Sequence, residues 1–242
     1  MKNNLLSKNQ ILHIKKLMQK KYRYQYQEFI IEGLHLIEEA LKHPKIIKYI
    51  VTSDVNFKHK SVPVLITSYE NICKLSTTKS PQPYIGICNF IQNNHLYEKD
   101  FILLLDNIND PGNLGTIIRT AHAFGVKDII LKGVDIYNPK IVRSTQGAIF
   151  NINIVNNVNL IETVTKLKND GFKIIGSLLK DSIDYNKVEI KDKKLVLILG
   201  NESHGINQDL INLLDYKVYI PIKFESLNVA IACGILLSKY LK

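Results

Sequence analysis

From residue 101 onward the chain repeats one pattern: a strand-sized, almost wholly apolar run, a polar turn, then a segment of helical length. The apolar runs cover residues 101–105, 128–131, 151–155, 173–177, 195–199 and 217–220. The spacing predicts helices over 114–124, around 140–148, and over 160–169, 207–214 and 227–241. A strand that is apolar on both faces must be buried on both faces, and strands joined through helices run parallel. This half of the chain therefore reads as a mostly parallel α/β sheet.

Residues 1–97 are less regular. Ile11, Ile14, Leu17 and Met18 recur at helical spacing, which predicts a helix over 8–20 with one apolar stripe and one basic face. Strands follow at 28–32, 46–51, 62–66 and 84–90, with helices over 34–41 and 69–75, the second capped by Ser68. The polar stretch at 92–100 has no periodicity and marks the boundary between a first domain, 1–97, and a second, 98–242.

Charge separates the two halves further. Residues 1–97 hold 14 Lys and Arg against 6 Asp and Glu, a balance of +8 out of +10 for all 242 residues. No acid precedes Glu28, while Lys2, Lys8, Lys15, Lys16, Lys20, Lys21 and Arg23 do, with Tyr22, Tyr24 and Tyr26 interleaved at the end of that run. An uncompensated basic surface attracts a polyanion, and nucleic acid is the commonest one. A solvated lysine-rich helix has the same composition. Cys73, Cys88 and Cys233 are widely spaced, with no C-x-x-C, so they read as free thiols and not as a disulfide or zinc framework. An ordinary globular composition sets aside disordered and low-complexity classes, and no apolar run approaches the ~18 residues of a membrane span. The start of the chain has no signal-peptide core, so a cytoplasmic location is expected.

Ligands of open α/β sheets bind beyond the carboxyl ends of the strands. Four segments there carry polar residues that a fold alone does not require. In the segment 106–120, Asn113 stands after a Pro-Gly turn as a cap candidate, and Arg119 follows on the helix. In 140–150, Arg143, Ser144 and Gln146 precede Gly147, a site of close backbone approach or a helix end. In 199–205, Gly200 and Gly205 bracket Asn201, Glu202, Ser203 and His204. In 220–232, Ser226 and Asn228 open an apolar helix, and Ser226 is in part a cap. The dinucleotide and P-loop glycine patterns are missing, which disfavours nucleotide-dependent enzymes of those classes.

Taken together, four strings resemble the SpoU/TrmH family of RNA ribose 2′-O-methyltransferases, within the SPOUT superfamily. They are Asn113-Leu-Gly-Thr-Ile-Ile-Arg119, Lys140-Ile-Val-Arg143-Ser-Thr-Gln-Gly147, Leu199-Gly-Asn-Glu202-Ser-His-Gly205 and Ile220-Pro221…Ser226-Leu-Asn228. The N-terminal half is similar to the family's substrate-binding extension through Phe29-Ile-Ile-Glu32-Gly33 and the Thr78…Pro81-Gln82 stretch. Two positions depart from the family pattern. Pro83 stands where a glycine is expected, and the loop between Pro221 and Ser226 is short and lacks its glycine.

The resemblance implies an L30e-like RNA-binding domain followed by a SPOUT domain with a deep trefoil knot. It implies S-adenosylmethionine as cofactor, RNA as substrate, no metal, and a homodimer whose subunits complete each other's site. It places Arg119, Asn113, Glu202, Ser226 and Asn228 at the chemistry. It places Gly200, Ile220, Leu227, Asn201 and Ser177 at the cofactor. RNA contacts fall to Lys15, Lys16, Lys20, Lys21, Arg23 and Arg143. Ribosomal RNA is the favoured target over transfer RNA. The competing expectation is an RNA-binding or ribosome-assembly protein that keeps the fold without catalysis.

Overall fold

A computed structural model describes residues 5–92, 100–223 and 225–241. They form two compact units, and the chain passes between them more than once.

The first unit contains residues 5–92 and 135–150. Its elements begin with α1 (Lys8–Leu17), α2 (Lys20–Tyr26), β1 (Glu28–Glu32), α3 (Leu34–Leu41), β2 (Ile47–Thr52), β3 (Val64–Ile66), α4 (Tyr69–Leu75) and β4 (Tyr84–Asn89). The sheet order is β1-β4-β2-β3, with β4 antiparallel to both neighbours and β2 parallel to β3. Ile14, Leu17, Ile30, Val51, Ile72, Leu75, Ile85 and Ile87 make the core between helices and sheet. Ser7 starts α1 with a reciprocal capping box to Gln10, and Ser68 caps α4 as expected.

The single helix expected over 8–20 is two helices. Gln19 takes an extended conformation (φ −100°, ψ 134°) and breaks the run, so α2 sets off in a new direction. Its tyrosine-rich stretch gave no clean helical stripe, because its buried residue is Arg23. That arginine is 2% exposed. Its Nη1 donates to the Leu17 carbonyl at 2.7 Å, and its Nη2 pairs with Asp135. Arg23 is thus an internal tie, and the expectation that it contacts RNA is corrected: the guanidinium is consumed inside the unit.

Asp135 explains in part why residues 135–150 belong here, which a single cut between 97 and 98 does not provide for. Tyr137 stacks on Phe90 at 3.8 Å between centroids and lies 4.6 Å from Phe29. The helix α6 (Pro139–Ser144) ends earlier than the expected 148 and a 3₁₀ turn follows over Ala148–Phe150. Gly147 (φ +90°) has no room for a side chain, since a Cβ would sit 2.6 Å from Cγ of Glu39. Close approach, not helix termination, is what the glycine serves.

The second unit contains residues 100–134 and 151–241. Its elements are β5 (Phe101–Leu105), α5 (Pro111–Ala123), β6 (Asp128–Leu131), β7 (Asn153–Asn156), α7 (Leu160–Asn169), β8 (Lys173–Ser177), β9 (Ile183–Asp184), β10 (Leu195–Leu199), α8 (Gln208–Ile211), β11 (Tyr216–Tyr219) and α9 (Val229–Tyr240). All its strands are parallel, in the order β7-β6-β5-β10-β8-β11-β9. Every residue of β5, β6 and β10 is buried, as a sheet covered on both faces demands. From β5 the chain winds outward through β6 to β7, whereas β10 carries β8 and β11 on its other side. The two middle strands pair in register from Phe101↔Leu195 to Leu105↔Leu199. Their following loops therefore leave the sheet side by side, at the point where the strand order reverses and such sheets form a crevice.

Helix starts differ from expectation for a definable reason. Asp110, not Asn113, caps α5 by accepting from the Asn113 N–H, with Pro111 in the first turn. Asn228, not Ser226, caps α9 by accepting from the Ala230 and Ile231 N–H groups. Cys88 and Cys233 are buried free thiols, and burial pushes the Cys233 thiol up to about 12; Cys73 is exposed. Among the described residues, no helix is long and apolar enough to cross a membrane, and no group of His, Cys, Asp and Glu is placed to hold a metal ion.

Candidate functional site

The loop after β10 closes on itself. The Asn201 N–H donates to the Gly205 carbonyl and the Gly205 N–H to the Asn201 carbonyl, both at 2.9 Å. The Asn201 side chain holds the interior, accepting from the N–H of Ser203 at 2.8 Å and of His204 at 3.1 Å. Its Nδ2 donates to the Asn107 carbonyl at 2.8 Å, which ties this loop to the one after β5. Gly200 makes the closure possible: a Cβ there would lie 2.2 Å from the Gly205 carbonyl carbon and 2.3 Å from the Ile206 nitrogen.

Beneath both loops lies Asp106, a buried carboxylate. Its Oδ2 accepts from the Asn207 N–H at 2.7 Å and its Oδ1 from the Asn107 side chain at 3.0 Å. A buried carboxylate is retained only where such donors compensate its lost hydration. Asp106 therefore fixes the spacing of the loops that follow β5 and β10. Sequence reasoning passed it over. The available signal was an acid immediately after a wholly apolar strand, where a surface turn residue reads the same.

The loop after β10, with the ends of β8 and β11 and the segment before α9, surrounds a cavity of about 720 Å³. Gly200, Asn201, Ser177, Ile220 and Leu227 all line it, as do Glu202 and Ser226. Leu178, Ile206, Ile211 and Val229 supply apolar wall, and Lys217 supplies a cation. A cavity of this size, with an apolar wall facing a comparable set of polar and charged groups, suits a polar small molecule or cofactor. A second hollow of about 680 Å³ lies among Asp100, Phe101 and Leu195, at the opposite ends of β5 and β10. It lies at the amino ends of the strands, whereas sheets of this kind bind ligands beyond the carboxyl ends.

At the rim of the first cavity three side chains join in a directed chain. The Asn228 Nδ2 donates to the Asn113 Oδ1 at 3.0 Å, and the Asn113 Nδ2 donates to the Glu202 Oε1 at 2.9 Å. The Asn228 Oδ1 is anchored on the N–H groups that open α9. Every polar atom of Asn113 and Asn228 in this chain is thereby oriented, and the Glu202 carboxylate is held from one side. Ser226 sits on the cavity wall outside this chain.

Arg119 is not part of it. It lies exposed on α5, in a stripe with Thr116 and Ala123 that faces away from the buried Leu114, Ile117, Ile118 and Ala121. In the first unit, Lys15, Lys16, Lys20 and Lys21 are exposed on α1 and α2. Arg143 donates to the Thr77 hydroxyl at 2.9 Å and lies 3.8 Å from Glu32, within that unit.

Comparison with known proteins bears on this geometry. A family model described as the SpoU rRNA Methylase family matches residues 100–238, and one described as an MRM3-like substrate binding domain matches residues 8–86. The chain is 37% identical over 230 residues to the 23S rRNA (guanosine(2553)-2′-O)-methyltransferase RlmP of Bacillus subtilis, covering 92% of each chain. It is similar to an AdoMet-bound rRNA methyltransferase from Sinorhizobium meliloti, with a TM-score of 0.86 at 31% identity, over 97% of this chain and 95% of that one. A further structure, the SpoU methyltransferase AviRb of Streptomyces viridochromogenes, shares the fold with a TM-score of 0.86 at 22% identity, over 97% of each chain.

Proposed function

Because the chain belongs to the SpoU rRNA methylase family, we propose that it methylates a ribose 2′-hydroxyl in structured RNA, ribosomal RNA in preference to transfer RNA. It is an S-adenosylmethionine-dependent RNA methyltransferase. The observation that carries the finer reading is the Asn228–Asn113–Glu202 chain at the rim of a glycine-closed cavity. A non-catalytic RNA-binding protein has no use for that juxtaposition.

The cavity fits the cofactor. Gly200, Ile220 and Leu227, with Asn201 and Ser177, would hold it through main-chain and hydroxyl groups, with Leu178 and Ile206 as apolar wall. When bound, the cofactor supplies an already activated sulfonium methyl, so the protein has to position the acceptor and ease its deprotonation. A guanidinium stays protonated, so Arg119 acts by gripping the neighbouring phosphate and stabilising charge that develops on the 2′-oxygen. The proton leaves to phosphate or water. Asn113 and Asn228 set the direction of the Glu202 carboxylate, which orients the ribose, and Ser226 contacts the ribose from the cavity wall.

The exposed position of Arg119 supports a homodimer in which it serves the partner's cavity. Ile231 is 55% exposed on the apolar helix α9, and Phe124 is 40% exposed at the end of α5. A dimer that covers these side chains would remove their apolar surface from water. We read this unit as the family's knotted domain and the location as cytoplasmic.

The first unit, which carries most of the net charge, supplies RNA affinity. Changing Lys15, Lys16, Lys20 and Lys21 together to Gln is expected to weaken RNA binding. The logarithmic salt slope should flatten by about 3, at ~0.7–0.9 for each phosphate no longer neutralised. Affinity for S-adenosylhomocysteine should not change. Filter-binding titrations across salt concentrations check the first result and calorimetry the second. The same calorimetry, with S-adenosylhomocysteine on the unaltered protein, separates the enzyme from the non-catalytic alternative: a protein without cofactor affinity is not this enzyme.

A further inference from the structure

The basic helices of the first unit also present aromatic rings that phosphate binding does not require. Tyr22 and Tyr26 stand one turn apart on α2 with their rings near parallel, 15° between planes and 6.2 Å between centroids. The Lys16 and Lys21 ammonium groups lie 5.5 and 5.8 Å from the Tyr22 centroid, and that of Lys20 lies 5.7 Å from Tyr24. Tyr26 is backed by His13 at 4.7 Å, and Tyr24 by the edge of Phe90 at 5.2 Å. Tyr22 remains only half-buried.

Between them Arg23 points inward, pinned to Leu17 and Asp135. The helix is thus anchored at its middle, and its outward residues are arranged before any ligand arrives. Preorganisation of this kind lowers the entropic cost of binding. A surface meant only for a duplex backbone needs cations alone. Aromatic faces flanked by ammonium groups instead combine stacking with phosphate attraction, the chemistry that holds unpaired strands.

We propose that α1 and α2 form a stacking site for an unpaired RNA strand: one nucleobase takes the Tyr22 ring as the Lys16 and Lys21 ammonium groups over it swing onto the adjoining phosphates, with Lys20 beside them. The proposal rests on RNA being the substrate, and it adds which form of RNA this face selects. Bases inside a duplex already cover each other's faces and have none to offer a tyrosine.

The test is a fluorescence titration of the full chain, without cofactor. The probe is a short oligoribonucleotide carrying 2-aminopurine, either unpaired or annealed to its complement. Wild type and Tyr22→Phe should bind the unpaired strand alike and quench the probe. Tyr22→Leu keeps an apolar side chain on the helix but has no π face. It should lose the quench and about 5- to 100-fold in affinity for the unpaired strand, with duplex affinity unchanged. Equal losses on both forms, or no loss on either, overturn the stacking site while leaving RNA as the substrate. A wild-type protein that binds neither form overturns the RNA reading and this proposal together.

Discussion

Arg119→Ala is expected to slow methyl transfer by ~10²–10³ at saturating RNA and S-adenosylmethionine, the usual cost of removing one donor that stabilises developing charge. The variant should fold and melt like the wild type. Arg119 is exposed on α5, and the residues that pack this helix are Leu114, Ile117, Ile118 and Ala121 on its other face. Affinity for S-adenosylhomocysteine should also hold, because Arg119 is not among the residues lining the cavity. Arg119→Lys should not rescue the rate, since a point charge cannot replace a planar fork that grips phosphate through two parallel bonds. Single-turnover rates for the three proteins check this. A near wild-type rate for Arg119→Ala would refute the assigned role without touching the fold.

Gly200→Val should abolish S-adenosylhomocysteine binding. The atoms that a side chain at residue 200 would meet are backbone: the Gly205 carbonyl carbon at 2.2 Å, the Ile206 nitrogen at 2.3 Å and the Gly205 oxygen at 2.4 Å. Backbone cannot swing aside as a side-chain end can, so the paired bonds between Asn201 and Gly205 must open. With them goes the tie from Asn201 to Asn107. Gly205→Ala is the matched control. That position has φ +71° but open space around its would-be Cβ. Its cost is backbone strain of roughly 1–2 kcal/mol with no collision, and binding should weaken without being abolished. Calorimetry on the two variants, each verified as folded by circular dichroism, gives the comparison. Unchanged affinity in Gly200→Val would place the cofactor outside this cavity. If Arg119 acts on the partner's cavity, mixing Arg119→Ala with Gly200→Val should restore measurable methyl transfer.

The second unit was legible because its signals are local. Wholly apolar runs of four or five residues, such as Leu195–Leu199, have no stable place except a sheet covered on both sides, and the structure buries them so. The polar loops at their ends were equally visible, since nothing in the sheet calls for Asn201 or Glu202. Other features depended on distance. Asp106 looks like a turn residue until Asn207, far along the chain, brings an N–H to it. Asp110-Pro111 is a cap followed by a first-turn proline, yet Asn113 competes for that reading by composition alone. Arg23 sits in a run of lysines and shares their charge; the Leu17 carbonyl and Asp135, from a segment beyond β6, turn it inward. The return of residues 135–150 to the first unit has no local signature, because the aromatic contacts of Tyr137 pair residues remote in sequence.

In the proposed reaction the methyl group ends on a ribose oxygen. Purified protein would be incubated with methyl-labelled S-adenosylmethionine and protein-free ribosomal RNA, and the product digested with alkali. A 2′-O-methyl group removes the hydroxyl that attacks the adjoining phosphate, so the label should appear in alkali-resistant dinucleotides and be absent with Arg119→Ala. Label recovered in alkali-sensitive mononucleotides, carried on a base, would contradict the account, as would binding of both RNA and S-adenosylhomocysteine with no transfer at all.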